Sequence, residues 1–181
     1  MKSYWDSAFK ELRNVKSLTG AALLAAMGPV LAMFTIVVND FLQIGFTSLT
    51  HAMTGYLYGP VLAALTGGVA DVIKYLIKPT GKYFFPGFTL NEILTGFLYG
   101  CAFYKKEITL KRVIIVRLVI TLLINLTLTP LWLSMMYGKA FTVMVPARII
   151  KNLVKFPVDV FLRYTLLKFS EKNIKNKVHS R

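Results

Sequence analysis

The chain has 181 residues, of which 55% are hydrophobic and 17% charged, with a mean hydropathy of +0.57. A soluble domain carries about 45–50% apolar and about 25% charged residues, so this balance is that of a membrane protein. The net charge is +14, yet residues 17–73 hold no Lys or Arg at all, and that placement rules out a basic nucleic-acid surface.

Residues 1–16 are polar and mixed in charge and read as a tail. The apolar run from Ser17 to Val38 is longer than the 7–15 residues of a signal-peptide core, so it reads as a retained span, 17–38, ended by Asn39 and Asp40. Phe41 to Ile77 is too long for one span. Gly59-Pro60 is a strong turn signal, and it divides this stretch into two short helices, 43–58 and 61–77. Lys78 to Phe88 holds two prolines and two glycines and reads as a structured loop. Spans follow at 89–104, at 113–136 with a bend or end near Pro130, and at 146–167, where Pro146 opens the helix. A basic link, 105–112, and a basic tail, 168–181, complete the chain. Six helices of about 20 residues use roughly 120 positions, which leaves no room for a soluble catalytic domain. The expectation is a single all-α membrane domain of six transmembrane helices, without internal repeats.

Cations orient it. Residues 1–16 hold four Lys or Arg, 105–112 hold four and 163–181 hold six, all on one side of an even-numbered bundle. The positive-inside rule makes that side, with both termini, cytoplasmic in a multi-pass plasma-membrane protein. Arg117 is expected to snorkel to the same face.

Seven cations fall on the outer half: Lys74, Lys78, Lys82, Lys139, Arg148, Lys151 and Lys155. Snorkelling to headgroups accounts for Lys78, Lys82 and Lys139. Arg148, Lys151 and Lys155 are spaced i, i+3, i+7 and share one helix face. Ionisable groups within spans are costly and face a bundle interior or a wet cavity, so this face implies an anionic ligand carrying carboxylates. Tyr83, Phe84, Phe85 and Phe88 surround Pro86-Gly87, and Trp132 and Tyr137 end the fifth span on the same side. They fit either an interfacial aromatic belt or a lid over a flat ring. Asp71, Asn91, Glu92, Asn125 and Asn152 add hydrogen-bonding groups that need partners in apolar surroundings. Together these residues describe a flat, anionic organic molecule approached from outside.

In the first span Ala21, Ala25, Gly28 and Ala32 form a smooth stripe, with Ala22 and Ala26 beside it. Such stripes serve either internal packing or contact with a partner helix. Motifs for nucleotide binding, metal hydrolysis and serine catalysis are absent from the sequence, Cys101 is single, and His51 reads as an isolated packed residue. No metal and no cofactor are expected. Two other readings remain open on the residues alone: a membrane-embedded enzyme acting on a lipid or another anionic substrate, and a stand-alone secondary transporter.

The stretch Phe85-Pro-Gly-Phe-Thr-Leu-Asn-Glu-Ile-Leu-Thr-Gly-Phe-Leu-Tyr-Gly100 resembles the central signature of the folate-family substrate-binding (S) components of energy-coupling factor (ECF) transporters. Pro146-Ala-Arg-Ile-Ile-Lys-Asn-Leu-Val-Lys-Phe-Pro157 is similar to the start of their last helix, and Ala21-Ala-Leu-Leu-Ala-Ala26 looks like their coupling motif. The resemblance implies a high-affinity vitamin-capturing subunit, with folate as the vitamin. It implies docking on a transmembrane coupling subunit with two ATPase subunits, and release inside by reorientation of the whole subunit. Residues and resemblance together give as ligand candidates Asp71, Lys74, Phe84, Phe85, Phe88, Asn91, Trp132, Arg148, Lys151 and Asn152. The docking candidates are Ala21, Ala22, Ala25 and Ala26.

Overall fold

The N-terminal segment expected as a tail is a helix. The computed structural model describes residues 2–33, 36, 37, 43, 44, 46–77, 84–137 and 141–179; Asn39, Asp40, Lys78, Lys82, Tyr83 and Lys139 lie outside them. Helix α1 (Lys2–Arg13) is joined through Asn14 to α2 (Val15–Met33). One face of α1 is aromatic and packs on the bundle. Trp5 stacks on Phe97 with ring centroids 6.1 Å apart, and Tyr4 meets Tyr104 edge-on at 5.6 Å. Glu11 then accepts hydrogen bonds from the Tyr104 hydroxyl, at 3.1 Å, and from Ser17. Average polarity conceals such a helix, because only its one-sided pattern marks it.

Helix α2 stops at Met33, short of the expected Val38. Beyond it the β-branched run around Ile36 favours an extended chain, and Ile36–Val37 (β1) pairs antiparallel with Gln43–Ile44 (β2). Helix α3 (Thr47–Ile77) breaks at Gly59, whose φ of 87° and ψ of 178° belong to a region open essentially to glycine alone. Pro60 follows and offers no N–H. The two arms fold back on each other, so that Gly28 of α2 lies beside both Thr50 and Ala70, and His51 lies beside Gly67.

Helix α4 (Pro86–Phe103) closes tightly on this hairpin. A Cβ on Gly96 would stand 2.1 Å from the Ala63 carbonyl oxygen, and one on Gly100 would stand 2.2 Å from the Pro60 Cα. Small residues let backbones approach where lipid supplies no hydrophobic drive between helices.

The next rod is continuous: α5 (Leu110–Ile120), a π-helical segment (Thr121–Leu128) and α6 (Thr129–Tyr137). The rod does not end at Pro130, and the widening just before it accommodates a ring that an ordinary α ladder would exclude. The Thr127 and Thr129 hydroxyls follow the wider register and donate to carbonyls five residues back, Leu122 at 2.9 Å and Ile124 at 2.8 Å.

Helix α7 (Phe141–His179) passes through both Pro146 and Pro157, so Pro146 does not open it and the tail expected from 168 is largely helical. Its 39 residues extend about 58 Å at 1.5 Å each, well beyond a hydrocarbon core of about 30 Å. The far end is tied down by Glu171, which pairs with Lys168 at 2.7 Å and accepts the Ile108 N–H at 3.4 Å.

Six passes therefore build an all-α bundle: α2, the two arms of α3, α4, the α5–α6 rod and α7. Leu65, Leu76, Ile115, Leu123, Leu153 and Phe161 are exposed on its outside, while His51, Asn91, Arg117, Asp159 and Arg163 are buried within it. Apolar outside and polar inside is the arrangement that lipid demands.

The α3–α4 seam yields a test. Gly96→Val is expected to cost about 3 kcal/mol or more, because its clash is with backbone. Gly68→Ala meets side chains and no backbone, Ile93 at 3.0 Å and Thr89 at 3.8 Å, and should cost clearly less, about 1 kcal/mol. Thermal unfolding of both variants in detergent micelles checks the contrast.

Candidate functional site

Between the tight α3–α4 seam and the widened α5–α6 rod, the bundle encloses a cavity of about 750 Å³. Nine of the ten ligand candidates line it: Asp71, Lys74, Phe84, Phe85, Phe88, Asn91, Arg148, Lys151 and Asn152. The tenth, Trp132, is not among the lining residues. Its indole N–H donates to Asn91 Oδ1 at 3.1 Å, and Asn91 Nδ2 donates to Thr129 Oγ1 at 3.2 Å. Trp132 thus fixes the orientation of a lining amide.

The start of α4 builds an aromatic corner. Phe85 lies 6.0 Å from Phe88 and 5.8 Å from Trp132 between centroids, and Phe84 meets Tyr75 edge-on at 5.2 Å. Gly87 makes the corner possible, since a Cβ there would come within 2.5 Å of the Phe85 ring and 2.7 Å of Trp132.

The cavity walls differ in charge. On α3, Asp71 accepts a hydrogen bond from Thr89 at 2.9 Å and lies 3.7 Å from the Lys74 ammonium. On α4, Glu92 is 3.0 Å from His51 Nε2, so His51 is packed as expected but has a partner. The opposite wall is α7, which presents Arg148, Lys151, Asn152, Lys155 and Asp159 along one face. Asn152 Nδ2 is bonded back to the Arg148 carbonyl at 2.8 Å.

The deep end of the cavity corrects the sequence reading. Arg117, expected to snorkel to the cytoplasm, is 5% exposed, and Arg163, counted with the cytoplasmic cations, is 1% exposed. Asp159 holds both. Its Oδ2 lies 2.7 Å from Arg117 Nη2, 3.5 Å from Arg163 Nη1 and 4.0 Å from the Lys155 ammonium. A buried carboxylate within reach outcompetes a long climb to water. Arg163 also donates to Ser48 Oγ at 2.5 Å and lies over the Tyr99 ring, 5.5 Å from its centroid.

The docking candidates separate into two faces. Ala21 and Ala25 are buried within the protein's own bundle, while Ala22 and Ala26 face outward beside exposed Leu23 and Met27. Packing on α3 has claimed the first pair. Among the described residues no group of three or more His, Cys, Asp or Glu is placed to hold a metal ion. What the arrangement can do is bind: a buried, cation-rich chamber with a flat aromatic corner and polar groups in fixed orientations.

A chamber of this kind inside a lipid-facing helical bundle defines a membrane-embedded receptor for a small molecule. The family model described as "ECF transporter, substrate-specific component" matches residues 16–167. A folate transporter FolT of Clostridium novyi is 34% identical over 168 residues, covering 92% of this chain and 97% of that protein. One from Leuconostoc mesenteroides is 34% identical over 152 residues, covering 81% of each. The crystal structure of FolT bound with folic acid superposes with a TM-score of 0.75 at 43% identity, covering 84% of this chain and 93% of that one. The chain belongs to the substrate-specific components of ECF transporters. It is accordingly an integral membrane protein that binds a transported substrate and is not an enzyme. It works with a transmembrane coupling subunit and two ATPases, which hydrolyse the ATP, and the enzyme and stand-alone-transporter readings fall away.

Two site residues escaped the sequence reading, Tyr99 and Arg117. For Arg117 a signal existed, because it interrupts an apolar run and Lys155, Asp159 and Arg163 recur every fourth residue on another helix.

Asp159→Leu removes the only carboxylate in contact with Arg117 and Arg163 among the described residues. It should destabilise the protein by about 3–5 kcal/mol, the cost of leaving a buried charge unpaired. Trp132→Phe, which removes one neutral hydrogen bond, should cost about 1 kcal/mol. Thermal unfolding of the two variants in micelles measures both.

Proposed function

We propose that the substrate is folate, captured from the outer face with both termini in the cytoplasm and released inside by reorientation on the coupling subunit. The file of cations on α7 facing an aromatic corner carries this reading. Folate has flat rings at one end and two carboxylates at the other. Phe84, Phe85 and Phe88 suit the rings, and Arg148 and Lys151 suit the carboxylates through charge-assisted hydrogen bonds. Asn91, held by Trp132, and Asp71 suit the edge of a pteridine, which offers donors and acceptors together. A cavity of about 750 Å³ lies within the range of roughly 300–1,000 Å³ typical of sites for molecules of this size. The names of the relatives point the same way. Docking on the coupling subunit falls to the exposed half of the alanine motif, Ala22 and Ala26.

Titration calorimetry of the purified chain with folate and with pteroate, which lacks the glutamate, tests the assignment. Arg148→Glu should weaken folate about 10- to 100-fold, the range of a lost charged hydrogen bond, and pteroate by clearly less. Equal losses would count against the carboxylate contact, and absence of folate binding at micromolar ligand would remove folate itself.

A second measurement separates docking from capture. Ala22→Trp with Ala26→Trp should abolish folate uptake by cells that also express the partner subunits, while the purified chain binds folate as before. Unchanged uptake would remove these two residues from the docking surface.

A further inference from the structure

Charge in the cavity is unbalanced, and the imbalance is concentrated at its deep end. Six cations (Lys74, Arg117, Arg148, Lys151, Lys155, Arg163) line or adjoin the cavity against three carboxylates, Asp71, Glu92 and Asp159. Lys74 and Asp71 form a pair of their own, and Glu92 is engaged by His51. At the deep end Arg117, Lys155 and Arg163 all crowd a single oxygen of Asp159. Two of these positive charges are left over in a place where Arg117 is 5% and Arg163 1% exposed. Buried charges without counter-charges are strongly disfavoured.

Hydrogen bonding at the same spot is incomplete in a matching way. Tyr99 is 1% exposed and lines the cavity, yet its hydroxyl has no hydrogen-bond partner among the described residues. The same holds for Nε of Arg117 and Nε of Arg163. All three are donors; Asp159 Oδ2, in ionic contact with the cations, and Thr121 Oγ1 complete the buried side-chain atoms without a hydrogen-bond partner among the described residues. Buried donors are almost always satisfied in folded proteins. Unused donors around a surplus of positive charge are the chemistry of an anion receptor.

We infer that the floor of the cavity, between Tyr99, Arg117 and Arg163, is a site for a small monovalent anion. The occupant is either a halide bound beside the transported molecule or a carboxylate of that molecule itself. The site lies about two to three helical turns below Lys151 along α7 and is separate from the Arg148 contact. Its inorganic form does not depend on the identity of the vitamin. The carboxylate form rests on the proposed folate reading.

Bromide is the probe. Purified full-length chain in micelles is titrated with sodium bromide at constant ionic strength, balanced with sodium isethionate, a bulkier organic anion. The unfolding midpoint should rise by several degrees and saturate, as binding to the folded state alone requires. Tyr99→Phe, which keeps the ring and removes only the hydroxyl, should weaken the apparent bromide affinity about tenfold. In crystals soaked with bromide, an anomalous peak should lie beside Tyr99 Oη. Repeating the titration with saturating folate separates the two occupants. A retained bromide response identifies an inorganic ion bound beside the vitamin, and a response abolished in competition identifies the vitamin's carboxylate. Absence of a saturable response without folate, or a response unchanged in Tyr99→Phe, overturns the site. Folate affinity measured separately by calorimetry shows whether the vitamin reading stands or falls on its own.

Discussion

Asp159 is a buried carboxylate on the last helix, set inside a bundle whose outer surface is apolar. Around one of its oxygens gather Arg117 from α5 and Lys155 and Arg163 from its own helix, and Arg163 reaches on to Ser48 of α3. Three elements distant in sequence are thereby tied at one depth. The geometry of the chamber above follows from this knot, because it fixes which face of α7 turns inward. The same face then carries Lys155, Lys151 and Arg148 toward the N-terminal end of α7, one turn at a time. If α7 rotated by a quarter turn, that file would enter lipid at a cost of several kcal/mol per charge.

The chamber itself arises from a contrast in how closely helices approach. On one side the α3 hairpin and α4 are in backbone contact at Gly96 and Gly100, which leaves no space between them. On the other side the π-helical segment before Pro130 widens the α5–α6 rod and turns Asn125 and Thr129 toward the interior. One half of the bundle is too tight to hold a ligand and the other half is held open. Gly87 repeats the logic locally, since only a residue without a side chain allows Phe85 and Trp132 to close the aromatic corner.

Much of this was legible in the sequence, and the reason is physical. Spans announce themselves through apolar length, and Gly59-Pro60 announced the reversal because few other dipeptides permit that backbone. The α7 cations were readable because charge inside an apolar helix has few structural excuses. Other features were hidden by averaging or by distance. The helical character of residues 2–13 lies in one aromatic face among polar residues, so hydropathy did not register it. Arg117 and Arg163 were assigned to the cytoplasmic face because their partner, Asp159, is found only once α5 and α7 are side by side. The division of the alanine motif depends on where α3 packs, which a stripe of small residues does not reveal. Trp132 lay near the site in sequence logic, yet its role as the support of Asn91 is a matter of three-dimensional placement.

The inward placement of these charges bears on how such a subunit can move. A membrane protein whose cations snorkelled to one leaflet would be anchored there by each of them, and tilting would drag every headgroup contact into hydrocarbon. Here Arg117, Arg163 and Asp159 meet one another in the interior, at 5% exposure or less. The surface presented to lipid along α2, α5 and α7 is rich in Leu, Ile, Val, Met and Phe, which interact alike with hydrocarbon at any angle. Rigid-body reorientation then leaves the internal polar contacts intact and exchanges one lipid contact for an equivalent one. The internal knot and the featureless exterior are two parts of one physical solution. The polar chemistry that binding requires is carried inside a body that lipid does not hold in a single orientation.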